Sequence, residues 1–151
     1  MAAGKSTLAQ EVAERENAVL LVQDELLACL FPGEITTIDK FAERSVRLKD
    51  ALAPHIGVLL ARGISVVLDF PGNTRGQRAW FRRIFESADV GHELHFIDAE
   101  DALCKRRLRS RSEHLTPGSL WTSDAEFDAI TRYFEAPSQE EGFNLVRHEH
   151  M

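Results

Sequence analysis

Apolar positions along the chain follow two rhythms. Residues 5–16 read as a helix, and Ala18-Val19-Leu20-Leu21-Val22 is a short apolar run suited to a buried strand. From about Ile38 to Arg62, Phe41, Val46, Leu48, Leu52, Ile56, Leu59 and Leu60 recur near helical spacing, with Pro54 expected to kink or break the helix and Gly63 to stop it. Ile64-Ser65-Val66-Val67-Leu68 is the most strand-like segment, β-branched and apolar, and it runs into Asp69 ahead of a Pro-Gly-Asn turn. Residues 75–88 predict a basic amphipathic helix whose stripe of Trp80, Phe81, Ile84 and Phe85 belongs to a core. A strand over Glu93–Ile97 and an arginine-rich helix over 100–111 follow. After a polar loop with Pro117 and Gly118 come a helix over about 124–134, capped by Ser123 or Asp124, and a last strand over Gly142–Val146.

Helices alternating with short apolar strands predict an α/β fold, a parallel sheet covered by helices on both faces. The chain of 151 residues has room for one domain, expected over 1–151. Loops at the C-terminal ends of strands are where such sheets place their chemistry, which draws attention to Asp24 and Asp69. The net charge of −6 offers no general attraction to a phosphate backbone, so nucleic acid is not an expected partner. Cys29 and Cys104 stand far apart outside any metal-ligand spacing and read as reduced thiols. No apolar run approaches the roughly 20 residues that cross a bilayer, and no signal-peptide pattern opens the chain, so a cytoplasmic protein without a membrane partner is expected.

Gly4-Lys5-Ser6-Thr7 opens the first helix. Such a sequence is the second half of a phosphate-binding loop: amides at a helix N-terminus face the phosphates, lysine adds a movable charge, and a hydroxyl ligates Mg²⁺. The first glycine of the full pattern and the strand before it would precede Met1. A helix N-terminus capped by Ser6 or Thr7 accounts for the tetrapeptide equally well. What adds weight is order: Val22-Gln23-Asp24-Glu25 after the next strand, Asp69 after the strongest strand, then the arginine-rich helix and polar loop.

With GKST at 4–7, QDELL at 23–27, VVLDFPGNTRGQR at 66–78 and RLRSR at 107–111, the chain resembles the small P-loop kinases, which include chloramphenicol phosphotransferase-like, zeta-toxin-like and gluconate-kinase-like proteins. The resemblance runs from Gly4 to about Val146. It implies a three-layer P-loop NTPase fold with a five-stranded parallel sheet whose central first strand, the one feeding the phosphate loop, is absent from this chain. It implies ATP and Mg²⁺ as cofactors and a small-molecule acceptor. Gly4, Lys5, Ser6 and Thr7 would hold the phosphates, with Ser6 on Mg²⁺. Asp24 would face the acceptor hydroxyl as general base, or cap the helix expected at Glu25. Asp69 would join the Mg²⁺ water shell or touch the acceptor.

Asn73, Thr74 and Arg78 are candidate acceptor contacts, against turn chemistry and a solvated arginine. Arg107 and Arg111, four apart, share a helix face and would serve as lid arginines beside a lid-like loop at 112–123, against a solvated basic face with Lys105, Arg106 and Arg109. His148 and His150 read as an exposed end, and His55, His92, His95 and His114 receive no role.

Removal of a central strand leaves unpaired edges on the third and fourth strands of the family sheet. Three outcomes follow: those strands close up, a second copy lends a strand in a homodimer, or the natural chain starts upstream, which is the expected origin. Half of the phosphate-cradling amides are then missing, and ATP affinity weaker than the family's is expected. The leading expectation is an ATP-dependent kinase acting on a small-molecule hydroxyl. The alternatives are a zeta-toxin-like nucleotide-sugar kinase and a non-catalytic nucleotide-binding or interaction module. A polynucleotide kinase would want a basic groove, which the charge opposes.

Overall fold

A computed structural model describes residues 4–112 and 124–149. The elements in order are α1 (Lys5–Arg15), β1 (Val19–Val22), α2 (Gln23–Leu30), α3 (Ile38–Ala61), β2 (Val66–Asp69), α4 (Arg75–Ala88), β3 (Leu94–Asp98), α5 (Asp101–Ser112), α6 (Asp124–Arg132), a 3-10 turn (Gln139–Glu141) and β4 (Leu145–Glu149). The architecture is α/β with parallel strands. Within the described residues these four strands make two separate pairs, β1 with β2 and β3 with β4, and the closing-up of the third and fourth family strands, here β2 and β3, one of the three open outcomes, is not seen among them.

The chain divides into two compact units. The first comprises Ser6–Pro71 and Ala79–Val90. Here β1 and β2 run parallel in the register Val19↔Val66 through Val22↔Asp69. Three helices end by the same device, a left-handed residue that lets the next amide reach back five residues. Asn17 ends α1 (Ala18 N–H to Ala13 O, 2.9 Å), Gly63 ends α3 (Ile64 N–H to Leu59 O, 3.0 Å) and Asp89 ends α4 (Val90 N–H to Phe85 O, 3.2 Å). At Gly63, φ is +75°, a conformation that favours glycine and explains the stop expected there.

Ile56, Phe70, Trp80 and Ile84 form the main core, joined by Leu21, Leu52, Leu60, Leu68 and Phe81. A second cluster of Leu27, Ile35 and Leu48 fixes α2 on α3. The core reading of Trp80 and Ile84 is therefore realised. Pro54 does not break α3, which runs without interruption for 24 residues. One missing N–H is outweighed by apolar contacts on both sides of it, at Leu48 and Leu52 before and Ile56 and Leu60 after.

The second unit comprises the described parts of 1–5, 72–78 and 91–151. Its strands pair in parallel from Leu94↔Leu145 to Asp98↔Glu149. The last strand thus lies three residues later than the apolar run at 142–146 suggested. Gly142 is left-handed at φ +69°, and Asn144 is tied to His92 by its amide (3.0 Å to Nε2) and side chain (3.2 Å to the carbonyl), so pairing begins only at Leu145. Arg147 is held in the strand with its guanidinium over the Phe96 ring at 5.5 Å. Helices α5 and α6 are joined by the pairs Lys105–Asp128 (2.7 Å) and Arg109–Asp124. The Arg109 hydrogen bond holds the Asp124 carboxyl below its usual range. No described helix is long and apolar enough to cross a membrane.

Candidate functional site

In the first unit the parallel pairing sets Val22 beside Asp69 at the C-terminal ends of β1 and β2. The chain turns directly from Val22 into α2, so Asp24 and Asp69 come to the same end of this two-stranded sheet. Asp69 is buried at 3% exposure, whereas Asp24 is exposed. Asp24 is not a helix cap, because α2 begins at Gln23 and the capping position falls on Val22, which makes no side-chain cap bond. Instead Asp24 and Glu25 occupy the first turn, where their charge is favoured by the helix dipole.

Beside Asp24, Gln23 is almost wholly buried and donates from Nε2 to Ser45 Oγ of α3 at 3.1 Å. Its amide oxygen is buried without a hydrogen-bond partner among the described residues. Sequence reading passed over Gln23 and Ser45, because nothing local distinguishes a buried glutamine at a helix start from a solvated one. Ser6 and Thr7 stand exposed in the first turn of α1, with Leu8, Ala9, Val12 and Ala13 buried behind them.

In the second unit Gly4 precedes α1 with φ +95°, and a guanidinium nitrogen of Arg107 lies 3.7 Å from where a Cβ on Gly4 would stand. The helical turn explains how Arg107 comes to be there. Lys105 and Arg109, four apart, point to the acids of α6, and Arg107 lies about 200° around α5 from each of them. On this helix Lys105 and Arg109 are paired with acids of α6, Arg106 and Arg109 are exposed, and Arg107 is at the GKST helix start. Lys5 is the exposed first residue of that helix. Arg111 follows one turn after Arg107 on α5, and its side chain, like the lid-like loop from 113 to 123 and Ser123, lies outside the described residues.

Asn73, Thr74 and Arg78 form a structural clasp. Thr74 Oγ1 accepts from the Gln77 amide at 3.2 Å, and Gln77 Oε1 accepts from the Asn73 amide at 2.8 Å, which caps α4. The Glu135 amide donates to the Asn73 carbonyl (2.8 Å), and a Glu135 carboxylate oxygen accepts from the Arg75 amide (2.7 Å). Arg78 has no exposed surface. It grips Glu141 through Nε (2.7 Å) and Nη2 (2.9 Å), and its Nη1 donates to the carbonyls of Gly72 (2.8 Å) and Glu135 (2.7 Å). Four of its five N–H groups are thus spent on the protein itself. Neither a solvated arginine nor an acceptor contact describes it. The Arg78 hydrogen bonds hold the Glu141 carboxyl below its ordinary range.

The histidines also depart from expectation. His95 and His148 share one face of the β3–β4 pair, with His95 Nδ1 3.0 Å from His148 Nε2 and Glu93 3.1 Å from His95 Nε2. His148 is half-buried rather than part of an exposed end. The two rings are nearly parallel, 5.2 Å between centres, which places the two nitrogens head to head as in an N–H···N hydrogen bond. Among the described residues no group of three or more His, Cys, Asp or Glu forms a metal cluster. The Ser6 hydroxyl and the Asp69 carboxylate are hard oxygen donors of the kind Mg²⁺ accepts alongside water and phosphate.

Parallel strands with helices between them, a helix opened by GKST and carboxylates at strand ends define a P-loop NTPase-type kinase-like fold. A family model described as an AAA domain matches residues 1–137, and the chain belongs to that family. The fold is similar to that of a gluconokinase from Sinorhizobium meliloti 1021, at a TM-score of 0.60 and 20% identity over 99% of this chain and 77% of that one. No curated protein matches the chain.

Proposed function

We propose that the protein binds Mg-ATP and transfers its γ-phosphate to a hydroxyl of a small molecule. The observation that carries the reading is the Arg107 guanidinium at the Gly4–Lys5 helix start, because cations and amides gathered at one helix N-terminus are what a polyphosphate requires. Phosphoryl transfer asks for positioning and charge neutralisation more than for covalent chemistry. In this reading the Gly4 and Lys5 amides and the Lys5 ammonium hold the β- and γ-phosphates, with Thr7 alongside. Arg107, with Arg111 one turn on, neutralises charge that develops on the transferred group. Ser6 and, through water, Asp69 would hold Mg²⁺, which would supply positive charge to the phosphates when bound. Asp24, solvated and at the strand end, accepts the proton of the acceptor hydroxyl. Asn73 and Thr74 border the acceptor through their loop, and Arg78 holds that loop in place.

The test is ATP consumption across a panel of hydroxylated small molecules. Asp24→Asn is expected to lower acceptor-dependent turnover by two to four orders of magnitude, on the order of a lost general base, with Mg-ATP binding unchanged. Equal turnover in the variant would remove Asp24 from the mechanism. Mg-ATP binding with no turnover on any acceptor would favour the non-catalytic nucleotide-binding module.

A further inference from the structure

Two hydrogen bonds made at imidazole nitrogens tie β4 to β3. At the head of β4 the Asn144 amide donates to His92 Nε2 at 3.0 Å. Further along, His148 Nε2 meets His95 Nδ1 at 3.0 Å, and the other nitrogen of His95, Nε2, lies 3.1 Å from a Glu93 carboxylate oxygen. The register sets Ile97 opposite His148, so His95 reaches His148 diagonally on one face of the strand pair. With ring centres 5.2 Å apart and ring planes 14° apart, the facing nitrogens lie close to the line between the centres. The in-plane lone pair of one ring then meets the N–H of the other.

One arrangement of hydrogens satisfies these contacts. The ionised Glu93 carboxylate has only acceptors, so His95 Nε2 carries its hydrogen and His95 Nδ1 is left bare. His148 then donates from Nε2, which leaves its own Nδ1 bare. At the head of the strand His92 accepts at Nε2 and therefore carries its hydrogen on Nδ1. One added proton at His148 Nδ1 leaves the chain from Glu93 through His95 to His148 intact and makes its cross-strand bond charge-assisted. A second proton has His95 Nδ1 to go to, and it sets two imidazolium N–H groups against each other. Protonation of His92 at Nε2 likewise removes the acceptor of the Asn144 amide. All three rings are half-buried, within reach of solvent protons.

The other charged groups of the two strands, Asp98, Arg147 and Glu149, alternate onto the opposite face, where Arg147 lies 3.5 Å from Asp98. Among the described elements β3 and β4 pack chiefly on one another, and Glu93 is the charged group hydrogen-bonded to the histidine pair. We propose that His92, His95 and His148 make β4 a proton-sensitive strand: neutral imidazoles clasp it to β3 at both ends, and full protonation opens both clasps together. Histidine is the side chain suited to such a device, since its ordinary charge change falls between about pH 8 and pH 5. The inference stands apart from the nucleotide reading and concerns the second unit alone.

The first readout is NMR of the histidine ring nitrogens in the isotope-labelled chain at about pH 8. The Nε2–H form is expected at His95 and His148, and the Nδ1–H form at His92. The second readout is amide hydrogen exchange in β4, corrected for the intrinsic rate, with the amides of β1 as the reference. Protection of β4 relative to β1 should fall about tenfold or more between about pH 8 and pH 5, as for the loss of one to two hydrogen bonds. The double variant His92→Gln/His95→Gln keeps polar side chains that do not titrate, and should cut that fall to less than about twofold. A different pattern of ring-nitrogen forms, β4 protection that tracks β1 across the range, or an equal fall in the double variant overturns the proposal. Should the double variant not fold, the ring-nitrogen forms and the wild-type exchange profile decide by themselves.

Discussion

Replacing Arg78 by alanine should cost more than any other single polar change in the second unit. Arg78 is fully buried, holds both oxygens of Glu141 at 2.7 and 2.9 Å, and caps two backbone carbonyls at 2.8 and 2.7 Å. Alanine leaves a carboxylate with 11% side-chain exposure unneutralised and two carbonyls without this donor. Removing one partner of a buried ion pair costs about 3–5 kcal/mol, because the charge left behind has lost its compensation. At a urea slope near 2 kcal/mol/M, that loss lowers the unfolding midpoint by roughly 1.5–2.5 M. The assay is urea unfolding followed by circular dichroism for wild type, Arg78→Ala, Glu141→Gln and the double variant Arg78→Met/Glu141→Gln. The double variant removes both charges and should recover part of the loss. A midpoint change below about 0.5 M for Arg78→Ala, or a double variant less stable than both single ones, refutes the reasoning.

Two further outcomes follow from the same packing. Glu141 has a folded pKa below its ordinary value, so its contribution is complete above about pH 4.3, the unfolded range, and is lost as pH falls through the folded value. Wild-type stability should therefore fall more steeply than that of Glu141→Gln in acid unfolding below about pH 4.5, and parallel curves would contradict this. In the first unit Ile56, 1% exposed at the centre of the main core, should cost about 2–5 kcal/mol when truncated to alanine, read by thermal unfolding.

Much of the fold was legible because the period of apolar residues reports burial locally. Helix α4 falls on 75–88 as its stripe of Trp80, Phe81, Ile84 and Phe85 indicates, and β2 ends at Asp69 where the apolar run gives way to Pro-Gly-Asn. What escaped depends on partners far away in the chain. Arg78 looks solvated in a basic helix, and only Glu141, 63 residues later, makes it a buried clasp. His95 and His148 are 53 residues apart and meet only because β3 and β4 pair in one particular register. The end of β4 was missed for a similar reason: Arg147 ends the apolar run, yet Phe96 on the neighbouring strand gives its guanidinium a surface to lie on. At the candidate site the residue types GKST, Asp24 and Asp69 were visible in order. The Gln23–Ser45 and Lys49–Trp80 contacts were not, since each joins two helices whose packing no local pattern encodes.

The most direct test of the nucleotide reading is calorimetric titration of Mg-ATP, carried to millimolar concentration, into the chain and into its Lys5→Ala variant. The account predicts saturable binding to the chain and its loss in Lys5→Ala, with both proteins equally folded by circular dichroism. Binding of equal strength to the two proteins, or no binding to either, would contradict it.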